Sequence, residues 1–209
     1  MRLDGIHHIS CITGDAPTNL DFYTRVLGMR LVAKSVNQDD PYVYHLFYAD
    51  HVGSPGSDLT FFEYPGALPG RAGAGMVYQI VFRVGSAAAI DFWAARLGAE
   101  GIAIAREGDV VDVADPEGLR LQLVVTSVPD APLVANHPEI PAAMALQGFD
   151  GVRAYGGRVA GSRRVLEAVM GAEPVGEQEW RITGPSRTGW ITFENPPMQA
   201  SRPGAGTVH

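Results

Sequence analysis

Two adjacent histidines, His7 and His8 in the segment GIHHIS, are the residues of this sequence best suited to do chemistry. A neutral imidazole nitrogen is a ligand for divalent metals, and the ring also carries protons near neutral pH. Alternation along a strand points the two rings to opposite faces, although at the strand end His7 can still reach a site on the face of His8. Taken alone, a strand histidine is more often a structural or surface residue than a ligand. Glu63, ending LTFFE, shares strand parity with Leu59 and Phe61. A metal role is open to it, but an edge carboxylate before the Tyr64–Pro65 turn is the favoured reading, and Glu194 in ITFE repeats that pattern. His45, among Tyr42, Tyr44, Phe47 and Tyr48, reads as a packed core residue; His51 falls in a turn and His137 in a proline-rich linker. Cys11 lies on the face of Ile9 and has no neighbouring base to make it a nucleophile.

The elements that must position these residues repeat along the chain. Three segments, GIHHISCITGDAPTNLDFYTRVLGM, MVYQIVFRVGSAAAIDFWAARLGA and FDGVRAYGGRVAGSRRVLEAVMGA, share a short strand followed by a helix with an apolar-apolar-Gly stop. Their stops, Gly28, Gly98 and Gly171, are 70 and 73 residues apart, a near-constant period. In the first helix Asp15 or Thr18 suits the N-cap, Pro17 the first turn, and Leu20, Tyr23, Val26 and Leu27 the buried face. In the second, Ser86 caps and Ile90, Trp93 and Leu97 form the stripe. Strand-like runs follow each helix with no further helix between them. The spacing therefore predicts an α+β fold of tandem β-α-β-β-β units with mixed, largely antiparallel curved sheets. The expected units are residues 1–66, 75–127 and 144–197, with 204–209 opening a fourth.

The composition narrows the partners. Sixteen basic against 23 acidic residues give a net charge of -7 with no basic cluster, which argues against nucleic acid. A single cysteine excludes a disulfide framework and any cysteine-based zinc site. No apolar run approaches the roughly 18 residues of a membrane helix, and no secretory leader is visible, so a cytoplasmic protein without a membrane partner is expected.

At the level of whole motifs the chain resembles the vicinal oxygen chelate superfamily of glyoxalases, bleomycin-resistance proteins and dioxygenases. Within it, the first unit resembles the hydroquinone-type extradiol ring-cleaving enzymes. The residues that carry this likeness are His7-His8-Ile9, the FYTRVLG helix, VNQDDP, YHLFYAD and PGSDLTFFE, with DPEGLRLQL in the second unit. The resemblance implies four units in a row and an Fe(II) ion, with Mn or another divalent metal as the alternative, held by two histidines and one glutamate. It assigns His8 as the metal ligand and His7 as a neighbouring acid–base group. It also matches Gly206-Thr207-Val208-His209 to the opening of the fourth unit, where the second ligand is expected one residue beyond His209, which itself matches the position of His7. The implied partners are a small hydroquinone- or catechol-like aromatic and O2. The second and third units carry Gln79 and Gly151 where the first has His8, so they are expected to pair structurally, leaving the first to pair with the fourth. An uncovered first unit would favour a homodimer or a domain-swapped assembly. Two other functions remain open at this point: a glyoxalase-like isomerase or lyase, and a metal-free small-molecule binding protein.

Overall fold

In the computed structural model, which describes residues 3–157 and 159–209, each expected helix has a visible local cause. Residues 1 and 2, where the first expected unit opens, and Arg158 in the third lie outside the described residues. Strand β1 (His8–Thr13) leads into α1 (Ala16–Asp21), whose N-cap is Asp15: its carboxylate accepts from the Thr18 N–H at 3.1 Å and the Thr18 hydroxyl at 2.7 Å. The helix continues through a π-helical turn, Phe22–Val26, and Gly28 closes it at φ +71°. The wider turn shifts the buried face by one residue. Leu20 is consequently exposed, contrary to the expected stripe, and Asn19 is buried, accepting from the Tyr48 hydroxyl at 2.9 Å.

Three strands follow: β2 (Arg30–Val36), β3 (Tyr44–Ala49) and β4 (Asp58–Glu63). The next run is β5 (Val77–Val84), α2 (Ala87–Ala99), β6 (Ile104–Glu107), β7 (Val110–Ala114) and β8 (Arg120–Val125). Ser86 caps α2 as expected, accepting from Ala89 N–H at 3.2 Å. Gly98, expected to stop this helix, lies inside it. The left-handed residue is Gly101, at φ +72°, because Gly98 takes ordinary helical angles and one more half-turn forms. A third run comprises β9 (Phe149–Tyr155), α3 (Val159–Arg164) with a second π-helical turn (Val165–Val169), β10 (Glu173–Pro174), β11 (Glu179–Thr183) and β12 (Thr188–Glu194). A short β13 (Thr207–Val208) ends the order.

These strands form two mixed sheets. One has five strands in the order β13-β1-β4-β3-β2, and the other has eight in the order β10-β11-β12-β9-β5-β8-β7-β6. In each of the three runs the first and last strands pair in parallel, β1 with β4, β5 with β8 and β9 with β12. The runs join through their first strands: β5 pairs antiparallel with β9, and β13 pairs antiparallel with β1.

The helix-side faces of β1–β4 and β5–β8 share one core. Tyr23, Leu27, Phe61, Ile80, Phe82, Trp93 and Leu97 are each almost fully buried in it. Burial of each such side chain contributes about 1.5–3 kcal/mol, and the Trp93 indole N–H is satisfied by the Met144 carbonyl at 2.7 Å. A smaller cluster, Leu166, Ala172, Trp180 and Ile182, supports the third run. The connection after β8 is anchored by charge: buried Arg83 donates to Asp130 at 2.6 Å and to Asp150 at 3.1 Å. No described helix is long and apolar enough to cross a membrane.

Candidate active site

The alternation of β1 divides its residues between two faces. Ile9, Cys11 and Thr13 enter the core, while His8, Ser10 and Ile12 stand on the open face away from α1. In the parallel ladder with β4 these meet Asp58, Thr60 and Phe62, and the Thr60 hydroxyl donates to the Ser10 hydroxyl oxygen at 2.9 Å. Across β4, strand β3 adds His45 opposite Phe62 and Phe47 opposite Thr60. On the other side of β1, the His209 N–H donates to the Ser10 carbonyl at 2.8 Å, continuing the β13 ladder. The His209 ring then meets Phe62 edge-on, with centroids 5.2 Å apart. The open face of one sheet thus carries His8, His45 and His209 together with two phenylalanines.

His7 and His8 are both exposed, and their Nδ1 atoms lie 3.1 Å apart, within hydrogen-bond distance. The planes of the two rings are nearly perpendicular, at 87°. Burial raises the Asp58 carboxyl above the usual carboxylate range, while the neighbouring His8 and His7 pull it down. Its Oδ1 has no hydrogen-bond partner among the described residues. Burial, helped by the nearby His8, lowers the pKa of His45 below that of an ordinary imidazole and favours its neutral form. His45 is therefore not the core residue its neighbours in sequence suggested: Leu46 and Tyr48 enter the core, and parity puts His45 on the opposite face.

The other candidates separate from this face. Glu63 lies with Leu59 and Phe61 on the helix side, where it accepts from the Ala16 N–H at 3.3 Å. Glu194 takes the other face of its own strand, because ITFE is one residue shorter than LTFFE and a one-residue slip inverts parity. It pairs with Arg153 at 3.5 Å. His51 is exposed after β3, His137 is half-buried in the connection after β8, and Cys11 is fully buried with its thiol pushed well up by desolvation. In the eight-stranded sheet, Gln79 and Gln122 both donate to Asp112 Oδ1, at 2.6 and 3.0 Å. Nothing in the local pattern signalled that closed network, because its members come from three strands. Among the described residues no three His, Cys, Asp or Glu side chains converge as a metal-binding group.

The two sheets of β-α-β-β-β runs are those of a glyoxalase-type protein. Residues 5–123 match the model of the Glyoxalase/Bleomycin resistance protein/Dioxygenase superfamily, and the chain belongs to that superfamily. It is 35% identical over 225 aligned positions to a Bacillus subtilis protein named "putative ring-cleaving dioxygenase MhqA", spanning all of this chain and 71% of the relative. A shorter match, 36% identical over 83 residues, covers 39% of this chain and 26% of the chlorohydroquinone/hydroquinone 1,2-dioxygenase of Sphingobium indicum. A crystal structure of a dioxygenase-family protein from Bacillus subtilis superposes with a TM-score of 0.90 at 34% identity, covering all of this chain and 69% of the other. Glyoxalase I from Zea mays, at 16% identity and a TM-score of 0.67 over 98% of this chain and 72% of its own, shares the fold.

Proposed function

We propose that this chain serves an extradiol-type ring-cleaving dioxygenase that uses Fe(II), or another divalent metal such as Mn, and O2 on hydroquinone- or catechol-like aromatics. The observation that carries this reading is the pairing of β13 with β1, which brings His209 onto the face of His8 beside an aromatic wall. The identity to relatives named as ring-cleaving enzymes supports the same reading.

A non-haem iron centre of this kind needs two histidines and one carboxylate on one face. The described residues fit one ligand position of such a centre and not the whole of it. His8 is that ligand: its ring is exposed on the open face, and with Nδ1 turned to His7 its Nε2 is the donor available to a metal. Fe(II) bound there would supply the centre at which a diol-like aromatic and O2 are brought together. A metal on His8 Nε2 requires the proton on His8 Nδ1, which then donates to His7 Nδ1 3.1 Å away, the orienting contact that ligand histidines require. The second nitrogen of His7 carries the proton exchanged with substrate. His209, on the same face, serves in this reading as a further acid–base group, and Phe62 gives the substrate ring an apolar face. Residues 204–209 are read as the opening of a fourth unit, since β13 meets β1 as β9 meets β5.

Iron content and oxygen uptake with substituted hydroquinones test this function, measured for this chain and for a form extended past His209. Bound iron and uptake that both depend on His8 are expected. Absence of both from the extended form would remove the dioxygenase reading.

A further inference from the structure

His45 is the histidine of the open face to which the ring-cleaving reading gives no task. Its ring lies between those of Phe47 and Phe62, with centroids 4.0 and 4.1 Å away. Phe62 in turn meets His209, so four rings form one continuous strip across β3 and β4 to the residue after β13, on the face that bears His8. Within this strip His45 Nε2 is buried and has no hydrogen-bond partner among the described residues. A buried polar atom left unpaired is destabilising, and a phenylalanine would fill the same space without that cost. The eight-stranded sheet follows the apolar option: where His45 pairs with Phe62, Val110 pairs with Val124. The imidazole is thus specific to the sheet that carries His8, and what its position lacks is a hydrogen-bond partner within an aromatic surround.

We propose that His45 is a substrate-specificity residue whose Nε2, buried in this structure, is uncovered when Phe47 and Phe62 turn to meet the substrate ring and then accepts the hydrogen bond of an aromatic hydroxyl group. This deepens the ring-cleaving reading and rests on it. The ligand class is a planar hydroxylated benzene. An analogue with methoxy groups in place of hydroxyls leaves Nε2 unpaired and is rejected for that reason, since a site built to bind a hydroxyl discriminates strongly against its absence.

The test compares anaerobic binding of methylhydroquinone and of its dimethyl ether by calorimetry, using the full chain and the variants His45→Phe and His45→Gln. The wild type is expected to prefer methylhydroquinone by about 10- to 100-fold, the range one hydrogen bond to an otherwise unpaired buried group supplies. His45→Phe keeps the ring stack and loses the preference; His45→Gln keeps a polar atom and restores part of it. In protein labelled with 15N-histidine, the Nε2 resonance of His45 should move on addition of methylhydroquinone and stay in place with the ether. That readout on the wild type decides the matter even where a variant fails to fold. A wild-type preference that survives unchanged in both variants overturns the role of His45 and leaves the ring-cleaving reading standing. A wild type that binds neither compound overturns the ring-cleaving reading, and the role of His45 with it.

Discussion

Gln79 occupies the position in the eight-stranded sheet that His8 occupies in the five-stranded one. His8 meets Asp58 and Gln79 meets Arg120 in matching parallel ladders, and each belongs to a strand that also pairs antiparallel with the first strand of another run. The chemistry at the two positions differs in what is left free. The Gln79 amide is buried and committed to Asp112 at 2.6 Å, whereas the His8 ring is exposed with only His7 at its Nδ1. One sheet therefore leaves the His8 ring open, and the other closes its polar groups on one another.

Replacing Gln79 with Leu should separate stability from activity. Asp112 loses one of its two amide donors, so unfolding free energy is expected to fall by about 1–3 kcal/mol in urea titration. Oxygen uptake with hydroquinones should be unchanged, because no group of the His8 face is touched.

His7→Asn should act through His8. Losing an orienting partner of a ligand histidine lowers metal affinity or turnover by about 10- to 100-fold. His7 is exposed, so unfolding free energy should stay within about 0.5 kcal/mol of wild type. Metal titration and thermal denaturation of the same samples check both halves.

Asp115 sets a pH dependence. It accepts from Tyr23, Glu117 and Leu119, yet its burial outweighs these bonds and raises its pKa to about 6. The folded state therefore holds this proton more tightly than the unfolded state, whose carboxyl titrates near 3.9. The stability it confers is fully present below about pH 4 and is lost as pH rises through about 6, a change of roughly 3 kcal/mol. Urea midpoints measured from pH 4 to 7 should show this downward contribution in the wild type, and Asp115→Asn should flatten it.

Arg83 is the residue whose loss should be most damaging to the fold. Only 2% exposed, it pairs with Asp130 and Asp150 and also donates to the Thr188 carbonyl. Arg83→Met leaves two carboxylates without their cation and is expected to cost about 3–5 kcal/mol. A thermal melt that matches wild type would contradict this.

The elements were legible where local pattern decides them. Alternation in ISCIT and IVFRV gives the buried faces of β1 and β5, and Asp15, Ser86 and Gly28 behave as helix signals. The departures have physical reasons. A π-helical turn moves burial from Leu20 to Asn19, and helical angles at Gly98 pass the stop to Gly101. Long-range partners were not visible: nothing near Arg83 points to Asp130, 47 residues away in the chain. In the candidate site, His7 and His8 stood out as a pair, but His45 was hidden by its aromatic neighbours. Only the register of β3 on β4 reveals that it leaves the core and shares the face of His8.

Ring cleavage, in the proposed function, depends on metal binding by His8. This dependence is tested most directly by reconstituting wild type and His8→Ala anaerobically with Fe(II), then measuring bound iron and oxygen consumed with methylhydroquinone, for this chain and for the form extended past His209. His8-dependent iron and uptake are expected in the extended form, with His8→Ala losing at least about 100-fold in uptake while keeping the wild-type melting transition. Equal iron and equal uptake in the two proteins would contradict it, as would turnover without oxygen consumption.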